Sequence, residues 1–246
     1  MDEYSQKYAT LLRSVQQLMK QEFELSNDEI YFGNEKTLKT KKSNIVEKPL
    51  PSVSENWNAA ATLDELNSLI CNCLKCPLGT TRTKFVFGVG NPNADVMFVG
   101  EAPGADEDAQ GEPFVGRAGQ LLNKILESIQ LKREDVYICN ILKCRPPNNR
   151  DPQPSEVEQC IPYLWKQIDI VQPKVIMSLG RIAAQMLLKT TDSLTKMREQ
   201  TLQYRGIPLL VTFHPAALLR NPNWKRPAWE DFKKLRRMYD EFKTTP

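Results

Sequence analysis

The sequence predicts an α/β domain: a mainly parallel central sheet flanked by helices on both faces, with an N-terminal helical extension. Three observations carry that expectation. Short apolar runs of strand length alternate with amphipathic helical patterns from residue 61 onward. Capping-box patterns open two of the helical stretches. The strand runs end in Pro- or Gly-containing turns with polar side chains, which is where open α/β sheets bind their ligands.

The elements follow in order. Residues 1–25 hold an amphipathic helix, because Tyr4, Tyr8, Leu11, Val15 and Leu18 are spaced four, three, four and three apart. One such helix is marginal alone and needs a partner surface, in this chain or on another protein. Residues 26–60 lose that periodicity and carry Lys36, Lys39, Lys41, Lys42, Lys48, Pro49 and Pro51, the composition of a solvated, flexible linker rather than of a DNA clamp. The folded body spans residues 61–246. Thr62-Leu-Asp-Glu65 opens a helix toward Cys71. Strands are expected at residues 95–99, 135–139, 174–179 and 208–213. Helices are expected at 116–129, after Ser155-Glu-Val-Glu158, from Arg181, and at 227–242.

Composition narrows the function classes. The chain has 246 residues, 41% hydrophobic and 26% charged, enough to bury a core without disulfides. No apolar run approaches the roughly 18 residues of a membrane span, and the polar, acidic start does not read as an export signal, so the protein is expected in the cytoplasm; a monomer is expected as well. The net charge of +3 requires any nucleic-acid contact to rest on local basic patches. Neither a P-loop nor a dinucleotide-binding glycine pattern is present, which argues against NTPases and dehydrogenases.

The unusual residues gather at the strand ends. Gly100-Glu-Ala-Pro-Gly104 follows the first strand, Asn140 ends the second, Gly180-Arg181 the third, and His214, the single histidine, the fourth. Cys73-Leu-Lys-Cys76 is a C-x-x-C pair in a polar loop, and Cys144 and Cys160 complete a set of four thiols. That set suits a tetrahedral zinc or an iron–sulfur cluster; Cys71 and Cys139 read as structural.

These motifs resemble the family 4 uracil-DNA glycosylases, which carry a [4Fe-4S] cluster. The matching segments are Cys73-x-x-Cys76-x-Leu-Gly, Gly100-Glu-Ala-Pro-Gly104, Pro113-Phe-Val-Gly-Arg-Ala-Gly119, Lys143-Cys-Arg-Pro-Pro-Asn-Asn-Arg-Asp151 and His214-Pro-Ala-Ala-Leu-Leu-Arg220. The likeness runs over roughly residues 62–243 and leaves the N-terminal helix and linker uncovered. It implies an enzyme that flips uracil out of single- or double-stranded DNA and hydrolyses its N-glycosidic bond, the first step of base excision repair.

The same resemblance implies the site. Cys73, Cys76, Cys144 and Cys160 would hold the cluster, in a structural role because base excision moves no electrons. Gly100, Glu107, Phe114, Asn140 and His214 would bind the base. Phe114 would stack on it, Asn140 would meet N3–H and O4, and Glu107 would crowd its C5 edge against thymine. His214 would donate to O2, Glu101 would hold the attacking water, and Asn149 would assist. Relatives carry an Asp directly after the residue matching Glu101; this chain has Ala102. Leu218, Leu219 and Arg220 would contact DNA, the leucines filling the gap left by the flipped base. The readings outside this class are an iron–sulfur redox protein or a DNA-binding protein without glycosylase activity. A covalent base-trapping mechanism would need a histidine near Cys144, and there is none.

Overall fold

The computed structural model describes residues 56–244. The expected helix at 1–25 and most of the linker lie outside them. Six strands form one sheet: β1 (Val89–Gly90), β2 (Val96–Gly100), β3 (Tyr137–Asn140), β4 (Val175–Leu179), β5 (Leu202–Tyr204) and β6 (Ile207–Thr212), in the order β1-β3-β2-β4-β6-β5. The four inner strands are parallel and match the four read from sequence, within a residue or two. β1 and β5 are antiparallel edges that the sequence reading missed. At two and three residues they are too short to show a period. β5 turns into β6 through Arg205 and Gly206, both at positive φ, the backbone of a tight hairpin turn.

β2, β3 and β4 are fully buried along their length, as parallel strands covered on both faces must be. Side chains alternate between two cores. Met97, Val99, Tyr137, Cys139 and Ile176 face one core, with α1 (Leu63–Ile70) and α5 (Pro154–Val171) packed over it. Val96, Phe98, Ile138, Val175 and Met177 face the other, under α4 (Arg117–Ser128) and α9 (Lys225–Thr244). The remaining helices are α2 (Leu78–Thr81), α3 (Ala105–Gln110), α6 (Arg181–Leu188), α7 (Leu194–Arg198) and α8 (Pro215–Arg220). Among the described residues no helix is long and apolar enough to cross a membrane.

Two local expectations are corrected. The body starts before Thr62: Ala60 is buried, and Trp57 packs edge-on against Tyr163 at 4.9 Å. α5 opens two residues before the expected capping box. Glu156 accepts from the Gln153 amide at 2.8 Å and pairs with Arg150 at 2.6 Å, and Pro154, lacking an N–H, suits the first helical turn. Ser155 already lies inside the helix, whose N-cap is Gln153, so the box it would form with Glu158 does not arise.

The strand order places β2 between β3 and β4. The chain leaves β2 for β3 on one side and later returns to β4 on the other. In such sheets a crevice opens at the carboxyl ends where the order reverses.

Candidate active site

The parallel strands end on one rim, and each brings a different group to it. Glu101 follows β2, Asn140 ends β3, Gly180 and Arg181 follow β4, and Phe213 and His214 follow β6. With residues 101–107, Phe114 and α8 they line a cleft of about 970 Å³. Gly100 sits beneath it. A Cβ there would lie 2.2 Å from Asn140 Oδ1 and 2.8 Å from Phe114 Cζ, so only glycine lets β2 pass under both.

Phe114 is held in a left-handed backbone conformation (φ 53°), a strained state that its surroundings must enforce. Glu107 does much of this. One carboxylate oxygen accepts from the Val115 and Gly116 amides at 3.0 Å each, and the other accepts from the Gly104 amide at 3.1 Å. Arg133 donates to the Phe114 carbonyl at 3.3 Å and also to that of Pro113. Gly119 completes the fit, because a Cβ on it would lie 1.7 Å from the Phe114 carbonyl oxygen. Glu107 therefore borders the cleft with both oxygens engaged, and its immediate effect is on the loop that carries Phe114. The neighbouring acid Asp108 turns into the body and accepts from the Thr83 amide at 2.9 Å. Of the acidic residues here, Glu107 and Asp108 fasten the loop, while Asp106 and Glu112 are exposed.

Asn140 is 2% exposed, and its Oδ1 has no hydrogen-bond partner. An unmatched buried acceptor costs about 1–3 kcal/mol, a penalty that a ligand N–H at that point removes. Its main-chain carbonyl is anchored instead by the fully buried Lys143, whose Nζ donates to it at 2.7 Å and to Gln167 Oε1 at 2.6 Å. Gln167 in turn donates to the Tyr137 hydroxyl at 2.9 Å and the Phe87 carbonyl at 3.0 Å. The end of β3 is thus pinned to α5.

His214 is the N-cap of α8. Its Nδ1 accepts from the Ala216 amide at 3.2 Å, which leaves Nε2 to carry the proton of a neutral imidazole. Burial pushes its pKa down to about 4; Arg220 adds to the shift and Glu107 opposes it. The ring lies 5.6 Å from that of Phe114, tilted by 33°. The site therefore offers a neutral N–H donor beside an aromatic floor.

Glu101 is half-buried, and burial pushes its carboxyl up to about 7, with the Asp151 carboxylate adding and the Arg181 guanidinium opposing. Asp151 and Arg181 also line the cleft. Neither is given a role by the sequence, although Asp151 closes a quoted motif and Gly180-Arg181 stands at a strand end. Asn149 reaches the rim but is exposed, and its Oδ1 accepts from Arg145 Nε at 2.8 Å.

Of the expected DNA contacts, Arg220 lines the cleft and Leu219 is 39% exposed. Leu218 is 1% exposed, packed with Phe213 and Ala228, where it ties α8 to the body. Further along α9, Lys233, Arg236 and Lys243 pair with Glu230, Asp240 and Asp95. Of the C-terminal basic residues, Arg220, Lys225 and Arg226 stay clear of ion pairs among the described residues.

Behind the rim, Cys73, Cys76, Cys144 and Cys160 approach closely enough to repel one another as thiolates. The Lys75 amide donates to Cys73 sulfur at 3.5 Å, Tyr163 Oη to the same sulfur at 3.2 Å, Arg82 to Cys144 at 3.3 Å and the Lys143 amide to Cys160 at 3.3 Å. Four thiols surrounded by N–H and O–H donors form a donor set that fits an iron–sulfur cluster, whose sulfurs accept such bonds. Among the described residues no three His, Cys, Asp or Glu side chains are grouped as one metal ion requires.

Comparison with known proteins gives this arrangement a class. The family model of the uracil DNA glycosylase superfamily matches residues 87–233, and the chain belongs to that superfamily. Within it, the type-4 uracil-DNA glycosylase of Archaeoglobus fulgidus is 49% identical over 182 residues, covering 71% of this chain and 92% of the relative. Those of Sulfurisphaera tokodaii and Thermotoga maritima are 45% and 43% identical, over 72% and 71% of this chain and 84% and 95% of their own. The chain is a member of the type-4 family.

Proposed function

We propose that the protein excises uracil from DNA, in single or double strands, by hydrolysing its N-glycosidic bond and leaving an abasic site. The observation that carries this reading is the buried, unpartnered Oδ1 of Asn140, a residue that lines the cleft together with Phe114 and a neutral His214. Uracil supplies what that acceptor lacks, an N3–H. Cytosine presents an acceptor at the same place and leaves the penalty in force. An iron–sulfur redox protein or a non-catalytic DNA-binding protein has no use for such a pocket.

Extrusion of the base costs a few kcal/mol of unstacking, offset by stacking on Phe114. As the bond breaks, negative charge grows on uracil O2. His214 Nε2–H donates to it, and one such donor in a dry site is worth about 3 kcal/mol. Because the imidazole is neutral, it stabilises the leaving base without giving up its proton. Glu101 holds the attacking water and takes its proton, with a pKa of about 7 near the optimum for a base at neutral pH. That assigns to Glu101 the work of the carboxylate that Ala102 lacks. Arg220 and Leu219 meet the strand beside the extruded nucleotide, and Asn149, held by Arg145, lies on the rim of the cleft.

Cys73, Cys76, Cys144 and Cys160 hold a [4Fe-4S] cluster. When bound, it supplies structure: it joins the 73–76 loop to α5 and to the segment after Asn140. Residues 1–25 serve a protein partner, the segment between them and the body tethers them, and the enzyme acts as a cytoplasmic monomer. The test is uracil excision from a labelled oligonucleotide by wild type, His214→Ala and Asn140→Ala, with iron and sulfide analysis of Cys160→Ala. Cleavage lost in both pocket variants and iron lost in the third are expected. Brown, folded wild type that leaves uracil intact overturns the reading.

A further inference from the structure

We infer that Trp224 is a stacking platform for the base next to the extruded uracil. This rests on the glycosylase reading and extends the site beyond the uracil pocket. Trp224 ends a short 3₁₀ turn after α8 and is 41% exposed, an unusual state for a residue of this size, and it borders the cleft. One face of the indole is occupied: it stacks on Phe213 at 5.2 Å and 22°. Phe213 is in turn backed by the Arg198 guanidinium at 4.4 Å. Arg198 is locked by a forked pair with the buried Asp231, at 2.7 and 2.9 Å. The turn beneath is fixed by Asn221, which accepts from the Asn223 amide at 3.2 Å. The platform is rigid before any ligand arrives, and Phe213 directly precedes His214.

The occupant is a nucleobase. Arg220 lines the same cleft as Trp224, and Lys225 and Arg226 directly follow Trp224 in the chain, none of them ion-paired among the described residues, so unneutralised cations accompany the exposed indole. Flat π-surface plus unneutralised cations is the combination that holds single-stranded nucleic acid. Once uracil leaves the stack, its neighbour loses a partner, and Trp224 supplies a replacement.

The test uses single-stranded labelled oligonucleotides with one uracil, and the same oligonucleotides with a base-free spacer immediately 5′ or 3′ of it. Half-saturating enzyme concentration and maximal single-turnover rate are measured for wild type, Trp224→Ala and Trp224→Phe. Expected are a roughly ten-fold or greater rise in half-saturation for the Ala variant, a maximal rate within about three-fold of wild type, and recovery in Phe. One of the two spacers should weaken wild type by a similar factor and leave Trp224→Ala no weaker. Full additivity of spacer and mutation overturns the platform, as does an unchanged half-saturation, or a loss confined to maximal rate and melting temperature. Wild type that fails to cleave strikes at the glycosylase reading; wild type that cleaves beside an unaffected Trp224→Ala strikes at the platform alone.

Discussion

Replacing His214 by Asn separates two tasks that one side chain performs. Nδ1 caps α8 through the Ala216 amide, and Nε2–H is aimed at the leaving base. Asn is a good N-cap, so its Oδ1 can keep the cap, worth about 1 kcal/mol. Its shorter side chain cannot place a donor where Nε2 stood. The expected loss is therefore the transition-state term alone, about 3 kcal/mol, or about a hundred-fold in single-turnover excision at saturating enzyme, since each tenfold in rate corresponds to about 1.36 kcal/mol. His214→Ala should show the same rate loss and, in addition, a melting temperature lower by about 2–4 °C, the usual effect of losing about 1 kcal/mol in a body of this size. The assay is cleavage of a labelled uracil oligonucleotide, run beside thermal melts of all three proteins. Activity of His214→Asn within a few-fold of wild type refutes the donor. A melt for His214→Ala equal to that of His214→Asn refutes the cap.

Other predictions concern Glu101, Asp231 and Gly119. With its carboxyl held near 7, excision should fall as pH drops below 7, and Glu101→Gln should abolish that limb of the profile along with most activity. The stability signs are opposite for the two titrating groups. Glu101 favours the folded state below about 4.5 and loses that contribution as pH rises through 7, whereas His214 favours it above 6.5 and loses its contribution as pH falls toward 4. Melts should show Glu101→Gln gaining on wild type between pH 5 and pH 8; a constant difference contradicts the shifted carboxyl. Arg198→Met should cost about 3–5 kcal/mol in denaturant unfolding, because Asp231 is left buried with only Thr212 donating to it. Gly119→Ala should impair excision despite the better helix propensity of Ala, because the added carbon collides with the Phe114 carbonyl; wild-type excision in that variant means Phe114 need not stay where it is.

The sequence revealed whatever depends on local pattern. The inner strands were legible because burial on both faces makes them continuous apolar runs, and the site was legible because polar residues at strand ends have few structural uses. What it hid depends on tertiary contact. Leu218 and Leu219 are adjacent and chemically alike, and only the packing of α8 on Phe213 decides which is buried. Glu107 carries no mark of the three amides it fastens, since they come from residues up to nine positions away. Trp224 lies in a turn without periodicity, and its role emerges only once Phe213 and Arg198 are seen stacked behind it.

The four cysteines flank β1, β2 and β3: two come before those strands and two after. A centre bound to all four would close a covalent circuit around the part of the sheet that delivers Glu101 and Asn140, and closing a long loop removes freedom from the unfolded chain. A preparation short of iron would then be two populations, stitched and unstitched, with a broadened melt. Its active fraction would follow iron content more closely than protein concentration, so a specific activity quoted without an iron assay would describe the growth medium as much as the enzyme.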